Sequence, residues 1–447
     1  MTPHASPERS TKVERVHPHA PGDVPPPPRT PPAATTLASP AAPATPAQWQ
    51  YAPRRAPWWH SRVLRAVTIA ILLALCGLVI LALVREQTGS EGFLIGIMLS
   101  ILPVPLLIAA FRWVDSVDPA PWRTLAFAFA WGACAATLVA VIANTFTAEW
   151  LATSVIADGD VDTLGATVVA PVVEELAKAA AVLLLFLHRR RFFSGVIDGI
   201  VTAGVTATGF AFTENILYLG TAYAGDQLYS DDGFAATTAQ TFFVRIVMSP
   251  FAHPLFTALT GLGFGVAAAL ATHRRTLRVL LPVVGLLTSM LLHALWNGSA
   301  STNGLHFLLV YALFMLPVLG TLIWLTVWYR GRDLRTVRET LHAYAEQGWL
   351  HPAEPWTLGS MHARAQARRR ARRAHGPTAA RTVSEYHAAL TSLALLRARA
   401  ERTEPPDDFA SREAELLHHT LTRRSLSSPP TQTASPRPYP LPHTGWR

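Results

Sequence analysis

The stretch VAPVVEELAKAAAVLLLFL, residues 169–187, decides the fold. It is apolar and long enough to cross a bilayer, yet it carries Glu174, Glu175 and Lys178. Ionisable groups inside a membrane span are costly and rare, and they mark functional sites. Pro171 sits just before them; a proline removes a backbone donor, frees the carbonyl four residues back and bends the helix. Membrane helices tolerate such breaks where the freed group lines a cavity or finds a neighbour. The rest of the chain is expected to surround this span.

Outward from it, the composition agrees. Of 447 residues, 50% are hydrophobic and only 15% charged, where a soluble domain carries about a quarter. Mean hydropathy is +0.25, and the middle is more apolar still because the tails hold most of the charge. The net charge of +9 falls at span ends and in the C-terminal tail, which speaks for membrane orientation and against a nucleic-acid partner. Cys76 and Cys134 both lie in apolar stretches, so neither a disulfide framework nor a CxxC metal site is available.

Eight apolar stretches, near 63–84, 92–111, 124–146, 164–187, 193–219, 241–270, 277–299 and 305–328, each have the roughly 20 residues a span needs. The fold class is therefore all-α: a polytopic membrane bundle of about eight helices. Alternate loops are rich in arginine (Arg112 and Arg123; Arg189 to Arg191; Arg274, Arg275 and Arg278; Arg330, Arg332 and Arg335). The others carry acids (Glu149, Asp158, Asp160 and Asp162; Asp226, Asp231 and Asp232) or no charge. The positive-inside rule puts the arginine-rich loops and both termini in the cytoplasm of a multi-pass cell-membrane protein.

Residues 1–57 are rich in proline, alanine and threonine and are expected to be disordered. The first apolar stretch is expected to act as the insertion signal. Residues 58–330 form the membrane domain. Residues 331–447 read as a basic cytoplasmic tail, with a short amphipathic helix to about 348, a helix near 382–402 bearing Leu390, Leu393 and Leu396 on one stripe, and disorder from Thr420 on. The cluster Arg364, Arg368, Arg369, Arg370, Arg372 and Arg373 offers either a contact for anionic lipid or a solvated helix face.

Four spans hold groups foreign to hydrocarbon: Glu174, Glu175 and Lys178; Asp198, Glu214 and Asn215; Arg245, His253 and Thr257; His293 and Asn297. At 1.5 Å per residue Glu174 lies about 15 Å in from the outer end of its span. Glu214, His253 and His293 reach the same outer half or the middle. Spacing of four puts Glu174 with Lys178, His253 with Thr257 and His293 with Asn297 on shared helix faces. Carboxylates and imidazoles in a dry cavity suit hydrolysis: a carboxylate takes a proton from water while histidines hold a metal or donate to an oxyanion. Zinc held by two histidines and a carboxylate would serve. Such groups also serve proton- or ion-coupled transport, or simply satisfy each other in a scaffold.

At these residues the sequence resembles the PrsW family of intramembrane proteases, relatives of the type II CAAX-processing endopeptidases. The matching pieces are Glu174-Glu175-Leu176-Ala177-Lys178, Phe210 with Glu214-Asn215, His253-Pro254 with Thr257, and His293 with Trp296-Asn297. The resemblance covers roughly residues 63–329. It implies a membrane-embedded peptidase that cleaves a membrane-anchored substrate, such as an anti-sigma factor, on its outer side. It makes Glu174 or Glu175 the general base, the other being a ligand or a partner of Lys178. His253 and His293 are metal ligands or oxyanion donors, and Glu214 is a third ligand or orients a histidine. Asn297 and Asn215 become hydrogen-bond donors, and Arg245 a counter-ion or a substrate contact. In the CAAX relatives the second motif ends in histidine where Glu214 stands, so zinc and metal-independent Glu/His catalysis both stay open. Asp198 reads as a helix-end group, and Gly261, Gly263 and Gly265 as helix packing.

Overall fold

The computed structural model describes residues 62–152, 163–188, 193, 195–229, 236–271, 273–403, 405 and 408–436. The N-terminal tail, Arg189 to Arg191, Asp158, Asp160, Asp231 and the last residues from 437 lie outside them. The described residues form helices and no strand. Helices α1 (Arg62–Ser100) and α2 (Val104–Val114) precede α3 (Trp122–Ala130), which runs through a π-helical turn (Trp131–Ala136) into α4 (Thr137–Ala152). A second π-turn (Gly165–Val169) leads into α5 (Ala170–His188), and α6 (Val196–Tyr229) follows. Helix α7 (Ala236–Phe242) passes through a third π-turn (Phe243–Met248), before α8 (Ala252–Ala269) and α9 (Arg275–Ala300). Helix α10 (Gly304–Val310) passes a fourth (Tyr311–Met315) into α11 (Leu316–Glu346). Three further helices follow: α12 (Glu354–Leu358), α13 (Met361–Arg402) and α14 (Phe409–Thr433).

Among the described residues six helical stretches, not eight, are long and apolar enough to cross a membrane. The difference has two sources. The stretch 163–188 carries three charges, which set it apart from purely apolar spans. The stretch Val63–Val114 is 52 residues long and counts once, although about 20 residues suffice. It doubles back at Gly89, whose φ of 70° lies in the left-handed region that glycine adopts without strain. Before the turn, Ile80 packs on Ile216 and Thr88 reaches Gly220. After it, Gly92 also faces Gly220, Gly96 faces Ile216, and Phe111 faces Gly204. The two arms therefore run along α6 in opposite directions.

Helix α6 is the axis of the bundle: 83% of its apolar window is buried, against 22% for the first stretch. Its neighbours turn large apolar side chains outward, among them Leu72, Leu291 and Leu313. Trp113, Trp122, Trp150, Trp324 and Trp328 are also exposed, as interfacial aromatic side chains are. Glycines let the central helices approach. A Cβ at Gly261 would lie 2.3 Å from the Gly199 carbonyl oxygen, and one at Gly263 would lie 2.4 Å from that of Leu281. The Gly261–Gly265 run thus seats α8 between α6 and α9. Asp198 accepts from the Gly195 N–H at 3.0 Å and caps the start of α6.

The C-terminal region is a folded subdomain. Leu341 and Tyr344 of α11, Trp349, Leu358, Tyr386, Leu390 and Leu393 of α13, and Leu417 of α14 share one buried core. The expected amphipathic helix is the unbroken end of α11. The expectation of disorder from Thr420 fails up to Thr433. There Thr431 is buried, its carbonyl accepts from Thr357 and its hydroxyl meets His387. Of the arginine cluster, Arg364 is buried and donates to the carbonyls of Leu358 (2.8 Å) and Val117 (2.9 Å). With Ser392 on Asp118 and Arg399 on the Ala268 carbonyl, it fastens the subdomain to the α2–α3 loop and the end of α8.

Candidate active site

Helix α5 enters the bundle through a register change. In the π-turn the Ala170 N–H bonds to the Gly165 carbonyl. The next bond of that series would join residue 171 to Ala166, but Pro171 has no N–H. The Asn297 amide fills the place, donating to the Ala166 carbonyl at 3.0 Å. The freed carbonyl is thus five residues back rather than four. Asn297, expected among the catalytic donors, spends its amide on backbone repair between α9 and α5.

Beyond this turn the two glutamates diverge. Glu175 is fully buried and saturated. Its Oε2 accepts from Thr257 (2.9 Å) and Ser289 (2.7 Å), and its Oε1 from Lys178 (2.8 Å) and His293 Nδ1 (3.1 Å). Three helices, α5, α8 and α9, close on that one carboxylate. Among the described residues Glu174 accepts one hydrogen bond, from Lys178 at 3.3 Å, and its Oε2 stands 3.8 Å from His293 Nε2.

The second half of the site hangs on α6 and the third π-turn. Glu214 Oε2 lies 2.7 Å from His253 Nε2 and accepts from Arg245 at 2.9 Å. Arg245 also donates to Asn215 at 3.0 Å and lies over the Tyr218 ring. Arg245 is therefore a counter-ion, and the Asn215 Oδ1 accepts from it. The chain breaks at Ser249 between the π-turn and α8, and the Tyr311 hydroxyl satisfies the Met248 carbonyl there. This break puts His253 at the start of α8, facing Glu214. The imidazoles of His253 and His293 meet edge to face at 5.2 Å, and Phe256 stacks on His293 at 4.6 Å.

Partner chemistry fixes the tautomers. A carboxylate accepts and an ammonium only donates. His293 must donate from Nδ1 to Glu175, leaving the Nε2 lone pair toward Glu174. His253 must donate from Nε2 to Glu214, leaving the Nδ1 lone pair, which lies 3.1 Å from Lys178 Nζ. Neither neutral ring offers an N–H to a reacting oxygen; both offer lone pairs. Ligand atoms of Glu174, His253 and His293 lie within 4.8 Å of one another. Each ring is backed by a carboxylate, as metal-bound histidines usually are. Three carboxylates face two cations, Lys178 and Arg245, so the cluster has room for positive charge. This donor set fits a divalent ion such as zinc. The carboxylate in it is Glu174; of the two roles expected of Glu214, third ligand or orienter of a histidine, its contact with His253 Nε2 fits the second.

The structure brings together Glu174, Glu175, Lys178, Glu214, His253 and His293. Sequence reasoning passed over Ser289, though it stands four residues before His293 on the same face of α9. It also gave no role to Phe256.

A family model described as PrsW family intramembrane metalloprotease matches residues 120–322. A search of curated proteins gave no match, and neither did a search of solved structures. The matched segment runs from α3 into α11 and contains every residue of the cluster, while α1, α2 and the C-terminal subdomain lie outside it. Residues 120–322 thus match the PrsW family of intramembrane metalloproteases, and the protein is a multi-pass membrane peptidase, a hydrolase.

Proposed function

We propose that Glu174 is the working carboxylate of the pair, in a site that hydrolyses a peptide bond of a membrane-anchored protein such as an anti-sigma factor. The observation that carries this is the asymmetry of the two glutamates. All four polar contacts of Glu175 are spoken for, whereas Glu174 keeps acceptor capacity beside two imidazole lone pairs. Glu174, His253 and His293 would hold the metal, which when bound polarises water and the scissile carbonyl. Glu174 takes the proton of the attacking water and returns it to the leaving amine. Glu175 fixes the ring of His293, and Glu214, itself held by Arg245, fixes that of His253. Phe210 and Phe256 line the cluster and keep bulk water away.

The membrane setting supports the same reading. The subdomain, Arg112 and Arg123 at the facing ends of α2 and α3, Arg274 and Arg275 at the α8–α9 junction, and Arg330, Arg332 and Arg335 within α11 gather at one end of the bundle, which we assign to the cytoplasm together with both termini. From that end the site residues lie roughly 20–27 Å along their helices at 1.5 Å per residue, in the outer half of the bilayer. The reversal at Gly89 and the charged α5 favour eight crossings. Exposed Arg369, Arg370, Arg372 and Arg373 would meet anionic lipid at the cytoplasmic face.

The test uses purified full-length protein in detergent, a panel of single-span substrates and a metal assay on every sample. Glu174→Gln should abolish cleavage with folding intact. Cleavage surviving in that variant would move the base role elsewhere. Zinc lost with His293→Ala would establish the metal centre.

A further inference from the structure

Lys178 is placed as a metal would be. It is fully buried, and an ammonium has three donors. All three are used, on Glu174 Oε2 (3.3 Å), Glu175 Oε1 (2.8 Å) and His253 Nδ1 (3.1 Å). The fourth side lies against the Phe210 ring, 3.9 Å from its centroid, a cation–π contact. Two of these three acceptors, Glu174 and His253, also belong to the set that would hold the metal.

The conflict is sharpest at His253. A neutral imidazole has one lone pair, and here it is Nδ1, because Nε2 donates to Glu214. That lone pair either accepts from Lys178 or binds a metal; it cannot do both. Turning the ring over would trade the problem for a broken contact with Glu214. Glu175 is different: it is the nearest acceptor of the ammonium and lies outside the ligand set, so Lys178 can keep it.

We propose that Lys178 is an exchangeable internal cation: its ammonium holds Glu174 and the His253 Nδ1 lone pair until a divalent metal takes them, and loading leaves it on Glu175. The inference rests on the reading of Glu174, His253 and His293 as metal ligands. Lys178 is a positioning residue in it. It keeps the ligand carboxylate and imidazole facing one point, and it sets how tightly the site loads. A lysine serving only as a buried ion-pair partner would stabilise the fold equally with and without metal and would not compete with it.

The experiment titrates chelator-treated, full-length protein in detergent with Zn2+ alone, against a chromophoric competitor, and records thermal midpoints in chelator and in zinc. Lys178→Met should bind zinc about tenfold more tightly or better, since a competing positive charge within a few ångströms is gone. Its midpoint in chelator should fall, and zinc should raise it by more than in the wild type. Phe210→Leu, which removes the ring behind the ammonium together with its contact to the His253 imidazole, should tighten zinc by about threefold. Glu214→Gln should weaken it by roughly 10–100-fold. If Lys178→Met binds zinc no tighter than the wild type, the exchange is overturned while the metal centre stands. If Lys178→Met does not fold, unchanged affinity in Phe210→Leu overturns it. If no sample binds zinc while the wild type still cleaves, the metal reading fails and the exchange fails with it.

Discussion

The molecule buries two polar clusters, one in the membrane bundle and one in the C-terminal subdomain, and they are built to different ends. In the subdomain Glu354 accepts from the His351 N–H (2.7 Å) and the Tyr386 hydroxyl (2.9 Å), so it caps the start of α12. Nearby His387 meets the Thr431 hydroxyl at 3.0 Å. Burial pushes the His387 imidazole down to about 3, helped by Arg364 and Arg368. Each group there ties one element to the next. In the membrane cluster, five ionisable side chains and two imidazoles from five helical segments converge, and one carboxylate keeps unspent acceptor capacity. Burial of polar groups therefore does not distinguish a working site from a structural one. Unspent capacity alone does not either, since among the described residues His387 Nδ1, Arg364 Nη2 and Ser427 Oγ of the subdomain also lack a hydrogen-bond partner; what sets the membrane cluster apart is a carboxylate and two imidazoles brought within ligand distance of one another.

The sharpest way to break the contrast is Glu174→Gln. Cleavage should drop by about 10²–10⁴-fold, the range of a lost general base, with a thermal midpoint close to wild type. Glu175→Gln should do the reverse in emphasis. It leaves Lys178 and three other donors facing a neutral amide and should cost about 3–5 kcal/mol of stability, as breaking a buried pair does. A denaturation curve for the two variants side by side reads this. Equal destabilisation would erase the asymmetry between the glutamates.

Smaller effects probe the subdomain. Arg364→Met strips the donors from the Val117 and Leu358 carbonyls and should cost about 1–3 kcal/mol. Cleavage per folded molecule should stay within about twofold, because this residue touches nothing in the site. Acid should act on His387. Its folded pKa is depressed, so the unfolded state takes the proton first, and stability present above about 6.5 is lost as the pH falls toward 3. Between pH 7 and 5 the loss is of order 2 kcal/mol. Lower protection factors in α13 and α14 at pH 5 than at pH 7, after correction for the intrinsic pH dependence of exchange and with the difference flattened in His387→Leu, would record it; equal protection factors at the two pH values would contradict it.

Much of this was legible in the chain. Hydropathy locates the bundle because lipid leaves few alternatives to long apolar helices. Spacing of four locates the cluster, because Glu174 and Lys178, and His253 and Thr257, stand one turn apart. What was not legible depends on partners far away in sequence. The fate of Asn297 turns on a π-helical register that strips Ala166 of its donor, and composition carries no sign of it. The choice between Glu174 and Glu214 as ligand depends on which imidazole nitrogen faces which carboxylate. The segment Ser427-Ser428-Pro429-Pro430 reads as disordered by composition. It folds because hydroxyls bond back along α14, as Thr431 does to the Ser427 carbonyl at 2.6 Å, and because Thr431 is covered by α12 and α13.

Helix α11 has a mechanical consequence. It runs without interruption from Leu316 to Glu346, about 46 Å at 1.5 Å per residue. One end packs Leu322 into the core that holds Phe256 and Leu292, next to the His293 imidazole, and the other supplies Leu341 and Tyr344 to the subdomain core. With no hinge between them, the helix is a lever. Whatever leans on the C-terminal subdomain also leans on the wall of the polar cluster buried in the bundle.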